Sequence, residues 1–109
     1  MQMNGITLGT TDWSQLEQTE HEGERGFAYW RTREFGDIRV RMVECTPRYL
    51  ADHWCNRGHV IFCLEGELHL DLEDGRRFII TPGMSCQISD NAEPHRSRTE
   101  IGAKLIIVD

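Results

Sequence analysis

At 109 residues the chain has room for one folded domain and not for a second, since single domains commonly run about 100 to 150 residues. Twelve Lys and Arg against 18 Asp and Glu leave a formal charge of −6, the wrong sign for a protein whose main partner is nucleic acid or an anionic membrane surface. The apolar content of 39% falls in clusters, which sets the chain apart from disordered sequences, and no run approaches the roughly 20 apolar residues of a membrane-spanning helix.

Residues 1–25 read as an acidic, polar arm, with Glu17, Glu20, Glu22 and Glu24 among Thr and Gln and only Ile6, Leu8, Trp13 and Leu16 as large anchors. Thr11 or Asp12 is placed to cap a short helical turn that puts Trp13 and Leu16 on one face. The opening MQMNGITLGTTD has neither a basic n-region nor an apolar h-region, so the expected location is the cytoplasm. In that compartment Cys45, Cys55, Cys63 and Cys86 are expected as free thiols or metal ligands and not as a disulfide framework.

From residue 26 the pattern has period two and predicts strands in a single domain over 26–109. Phe27 and Tyr29 with Trp30 open it, and Phe35-Gly36-Asp37 turns the chain into Ile38, Val40 and Met42, which alternate with Arg39, Arg41 and Val43. Further strands are expected over Val60 to Leu64, at Leu68, Leu70 and Leu72, over Phe78 to Thr81, at Met84, Cys86 and Ile88, and over Lys104 to Val108. Glu65-Gly66, Glu73-Asp74-Gly75, Pro82-Gly83 and Asp90-Asn91 punctuate them about 8 to 10 residues apart, the spacing of an all-β sandwich or barrel. His69, alternating with Leu68 and Leu70, is expected on a solvated face.

The segment that carries chemistry is Asp52-His53-Trp54-Cys55-Asn56-Arg57-Gly58-His59, with His95 in Pro94-His95-Arg96. On a strand His53 and Cys55 project from one face, and a turn at Asn56-Arg57-Gly58 lets His59 face back toward them. With His95 brought in by the fold, three imidazoles and one thiolate make a candidate ligand set for a divalent transition metal, with Zn, Fe, Ni and Mn all admissible. Asp52 is a candidate second-layer partner, Cys63 is in phase with His59 and either packs in the core or lines the pocket, and Arg39, Arg41 and Arg96 are either solvated or reach a pocket mouth suited to a carboxylate.

The stretch His53-x-Cys55-x3-His59-x6-Gly66 resembles the first cupin motif, H-x-H-x(3,4)-E-x6-G, with Cys55 in place of the second His and His59 in place of the Glu. Gly83, Ser89-Asp90-Asn91 and His95 follow the second motif more loosely. Asp52-His53-Trp54-Cys55, with Ala28-Tyr29-Trp30-Arg31 and the run from Ile38 to Glu44, resembles the small single-domain bacterial cupins with a DHCW motif. The resemblance implies a cupin-type double-stranded β-helix, or jelly-roll, barrel with a metal or small-ligand pocket, in a homodimer. It further implies a metal-binding protein that binds or acts on a small molecule, either as an oxygenase or isomerase or as a non-enzymatic sensor. Four protein ligands would close the metal site, whereas three would leave a position for water or substrate.

Overall fold

The computed structural model describes residues 3–109, so the first two residues of the arm lie outside the described residues. Among the described residues nine strands follow a single 3-10 turn at Trp13–Gln15, which Asp12, and not Thr11, caps by accepting the Ser14 backbone N–H at 3.1 Å. The strands are β1 (Thr19–Glu22), β2 (Phe27–Phe35), β3 (Ile38–Cys45), β4 (His59–Gly66), β5 (Leu68–Leu72), β6 (Arg77–Ile80), β7 (Ser85–Ile88), β8 (His95–Arg98) and β9 (Ala103–Val108). They pair antiparallel into a six-stranded sheet of order β1-β2-β3-β9-β4-β7 and a three-stranded sheet of order β6-β5-β8, the two layers of a jelly roll. Among the described residues no helix is long and apolar enough to cross a membrane.

The acidic lead-in is tied to the barrel more firmly than four apolar anchors suggest. Its Thr19–Glu22 segment is the edge strand of the large sheet, and His21 stacks on Trp30 with ring centroids 3.7 Å apart.

The core lies between the sheets, where Val43, Cys45, Ile61, Cys63 and Leu105 from the large sheet meet Leu68, Leu70 and Ile80 from the small one. Leu68 and Leu70 are fully buried, and each such side chain contributes about 1.5–3 kcal/mol of transfer free energy. His69 is not solvated as its alternation with these leucines predicts. Its side chain is only 14% exposed, because Ile79 and Arg98 flank it on the neighbouring strands and Glu67 takes its Nε2.

Period two also carries each central strand out of the core and into a polar row. The inward positions read Cys45, Val43, Arg41 and Arg39 on β3, Leu105 and Ile107 leading to Asp109 on β9, and Cys63, Ile61 and His59 on β4. The pairing keeps them in step: Val43 lies opposite Leu105 and Leu105 opposite Cys63, and one row on Arg41 lies opposite Ile107 and Ile107 opposite Ile61. The next row is Arg39, Asp109 and His59, held by reciprocal backbone hydrogen bonds between Arg39 and Asp109 at 2.7 and 2.9 Å.

Two glycines make this register possible. Gly66 has φ 78°, and a Cβ there would lie 2.0 Å from the Gly102 carbonyl oxygen, just after the bulge between Cys63 and Glu65. Gly58 donates its N–H to Asp90 at 2.7 Å and has no room for a side chain, since a Cβ would meet the Asp90 nitrogen at 2.6 Å. That close approach aims β4 so that His59 enters the barrel at its first position.

Candidate metal centre

Residues 51–58 do not form the strand that would give His53 and Cys55 a shared face. Asp52 and His53 lie in a bend, and Cys55 makes only a single bridge, exchanging backbone hydrogen bonds with His95 at 2.7 and 3.0 Å. The local reason is competition for the backbone: the Cys55 Sγ accepts the Arg57 N–H at 3.4 Å, and residues 56–58 run irregularly, without the expected turn, into β4.

The fold brings Cys55, His59 and His95 together, with one donor atom from each lying within 4.8 Å of the others. The Cys55 Sγ is 3.7 Å from the His59 Nε2, and the two imidazoles meet edge to face with centroids 5.1 Å apart. An ion bound at about 2.3 Å from sulfur and about 2.0 Å from nitrogen in tetrahedral geometry separates such donors by roughly 3.5 Å.

The hydrogen bonds fix which lone pairs are free. His95 Nδ1 donates to the Glu93 carbonyl oxygen at 2.7 Å, so its Nε2 carries the lone pair, and that atom is buried with no hydrogen-bond partner. His59 Nδ1 donates to the Asp109 Oδ2 at 2.9 Å, leaving its Nε2 free on the Cys55 side. A carboxylate behind an imidazole is the arrangement that orients a metal-binding histidine and raises its basicity. The orphaned His95 Nε2, next to a thiol and a second oriented imidazole, fits a borderline-soft divalent ion and leaves no other satisfied partner for that nitrogen.

His53 is not in this group. It lines the same cavity, but its side chain is 74% exposed and its Nδ1 is hydrogen-bonded to the Asp52 Oδ1 at 2.6 Å. Asp52 is equally outward, with its carboxyl held low by the His53 hydrogen bond. Cys63 sits two inward positions deeper than His59, buried in the core with its thiol directed at the Glu65 and Gly66 carbonyls. Arg96 does line the cavity, stacked over Trp54 at 4.7 Å and paired with Glu24 at 3.3 Å.

Asp109 is the site residue that the sequence pattern does not single out. Its side chain is 3% exposed and takes Arg39 through two hydrogen bonds of 2.8 and 2.9 Å, Arg41 at 2.9 Å and His59 at 2.9 Å. Burial alone would raise this carboxyl, but the hydrogen bonds from Arg39 and His59 and the charge of Arg41 outweigh it and hold it far below the usual carboxylate range. Burial pushes the His59 imidazole down from 6.5, opposed by its bond to Asp109 and reinforced by His95 and Arg41, which favours the neutral ring with its Nε2 lone pair free. The available signal was the inward phase of β3, which points Arg39 and Arg41 at the same row as His59 and so calls for an anion there.

No protein-family model and no curated protein matches the sequence. Solved structures do. The chain is similar to an ectoine synthase from P. lautus (TM-score 0.75, 17% identity, 93% of this chain and 76% of that one). It is also similar to an RmlC-like cupin from Shewanella frigidimarina (TM-score 0.74, 18% identity, 94% and 90%) and to the polyketide cyclase RemF from Streptomyces resistomycificus (TM-score 0.74, 20% identity, 94% and 78%). The fold is that of a cupin. The donors lie inside the jelly roll between the sheets, at the end of a cavity of about 290 Å³ walled by Trp30, Tyr49, Ile61 and Ile107. Cupin barrels of this similarity share architecture and not chemistry, so the reaction has to be argued from the residues.

Proposed function

We propose that this cupin holds one divalent transition ion on Cys55, His59 and His95 and binds or acts on a small molecule in the cavity beside it. The observation that carries the reading is the buried His95 Nε2, whose tautomer is fixed by the Glu93 carbonyl and which has no partner except the space it shares with Cys55 and His59. An ion there would supply Lewis-acid polarisation and, with three protein ligands, an open position for water or substrate. Asp109 holds the His59 ring in place, and Arg39 and Arg41 hold Asp109. At the mouth, the exposed His53 is hydrogen-bonded through Nδ1 to Asp52 at 2.6 Å.

The same proposal places the protein in the cytoplasm as a homodimer. All four cysteines are unpaired, which suits a reducing compartment. The outer face of the large sheet carries Val60, Phe62 and Leu64 at 37–44% exposure, a contiguous apolar row of the kind a second copy would cover.

Elemental analysis of untagged protein tests the ligand set. Near one metal per chain is expected in the wild type and in His53→Ala, with loss in Cys55→Ala, His59→Ala and His95→Ala. Metal-free wild type that also takes up no added Zn, Fe, Ni or Mn would overturn the reading.

A further inference from the structure

The cavity beside the three donors has a sign opposite to that of the whole protein. Four arginines line it, Arg39, Arg41, Arg57 and Arg96, and no Asp or Glu does, in a chain of net charge −6. The counter-charges stand behind the wall. Asp109 takes Arg39, Arg41 and the more distant Arg57, and Glu24, itself 60% exposed, takes Arg96 from outside.

Two donors on that wall are left over. Arg41 is 5% exposed, its Nη2 is committed to Asp109, and its guanidinium lies 4.4 Å from the Trp30 ring, yet its Nε–H is buried without a partner. Arg96 repeats the arrangement, with its guanidinium on Trp54 and its Nε–H buried and unpartnered. With the His95 Nε2, three of the four unsatisfied buried side-chain atoms among the described residues belong to residues lining this one cavity. A buried unsatisfied donor costs about 1–3 kcal/mol, and more for a charged group, so their concentration at one place calls for a ligand.

We infer that the cavity takes a small carboxylate, received by the Arg41 and Arg96 Nε–H groups while the rest of the molecule faces Cys55, His59 and His95. Planar anions suit these donors. Each guanidinium lies over an indole ring and is itself planar, so its free Nε–H points in the guanidinium plane, and the neighbouring Arg39 already takes a carboxylate, that of Asp109, through two bonds of this kind. A tetrahedral, doubly charged phosphate needs more converging donors than two Nε–H groups provide. The volume of about 290 Å³ is at the lower end of the roughly 300–1,000 Å³ typical of small-molecule sites, which suits a small ligand. Burial, with Arg39 adding to it, already pushes the Arg41 guanidinium below its ordinary value, a strain that a bound anion relieves. The inference deepens the proposed metal-centre reading and rests on it for which end of the ligand reacts.

The test titrates the metal-stripped full chain with propanoate and with propanamide, which has the same shape and no charge, following backbone and histidine NMR shifts. Saturable propanoate binding at least tenfold tighter than propanamide is expected, weakened tenfold or more in Arg96→Gln and in Arg41→Lys. Arg96 is partly exposed, so Arg96→Gln keeps the test valid where the buried Arg41→Lys does not fold. Equal binding of the acid and the amide, or wild-type affinity in Arg96→Gln, overturns the inference, and inorganic phosphate binding as tightly as propanoate overturns the carboxylate assignment. Zinc titration of the same samples separates the two readings. Zinc uptake without carboxylate preference removes the anion site alone, whereas carboxylate preference without zinc uptake supports the anion site and removes the metal.

Discussion

The carboxylate of Asp109 accepts the Nδ1–H of His59 at 2.9 Å while Arg39 and Arg41 grip its two oxygens, so one acidic side chain sets both the tautomer and the aim of the imidazole that faces Cys55. An imidazole left without such a backing group keeps its position poorly and loses basicity. Asp109→Asn is therefore expected to weaken zinc affinity by about 10- to 100-fold while leaving Cys55, His59 and His95 in place. A competition titration against a chelator of known affinity checks this, and an unchanged zinc affinity would detach Asp109 from the site.

The same residue makes the fold acid-sensitive. The Asp109 carboxyl is held below its ordinary value and so is the His59 imidazole, so in both cases the unfolded chain binds protons more readily than the folded one. Stability is then fully present at neutral pH, begins to fall below about pH 6.5 as His59 becomes protonatable in the unfolded state, and falls further below about pH 4 on account of Asp109. Thermal melts of the metal-free protein from pH 8 to pH 4 should show a falling midpoint, and a flat profile would refute the assignment.

Of the three candidate ligands only Cys55 offers a soft donor. Cys55→Ser should lower the preference for Zn over harder ions such as Mn by roughly tenfold or more in competition assays, because a hydroxyl replaces a thiolate. Identical selectivity in the two proteins would take Cys55 out of the coordination sphere.

A second copy on the outer sheet face would hide Phe62, which is 44% exposed in the single chain. Phe62→Lys is expected to convert a dimer to a monomer in light scattering after size exclusion, with the metal content kept. A wild-type monomer at micromolar concentration would remove the dimer from the account.

The core behind the site sets how firmly it is held. Ile61 is 1% exposed and lies one inward position below His59, so Ile61→Ala should cost about 2–5 kcal/mol and lower the thermal midpoint accordingly. A loss under 1 kcal/mol would mean that the two sheets are less tightly packed than their interdigitated rows imply.

Most of the barrel was legible because its strands alternate. β3, β5 and β9 have apolar residues at period two, and the turns between strands are marked by Gly and Asp. The strands that escaped notice are Thr19–Glu22 and His95–Arg98, whose polar sequences TEHE and HRSR show no alternation of apolar residues because each borrows its order from a partner strand, β2 and β5. Residue type and spacing pointed to Cys55, His59 and His95, which the fold does bring together. His53 departs because its segment is a bend held by Asp52 and not a strand, a difference that a period-two argument cannot register. Asp109 was hidden for another reason: its role depends on which strand β9 lies beside, and that is set by a pairing between residues some 70 positions apart.

The central claim is that Cys55, His59 and His95 bind one ion together, and cobalt substitution tests it most directly. Titrating metal-free protein with Co(II) should saturate at one equivalent, with a thiolate-to-cobalt charge-transfer band and the intense visible absorption of a four-coordinate site. The charge-transfer band should vanish in Cys55→Ser, and uptake should fail in His95→Ala. No cobalt uptake by the wild type, or a spectrum unchanged in Cys55→Ser, would contradict the account.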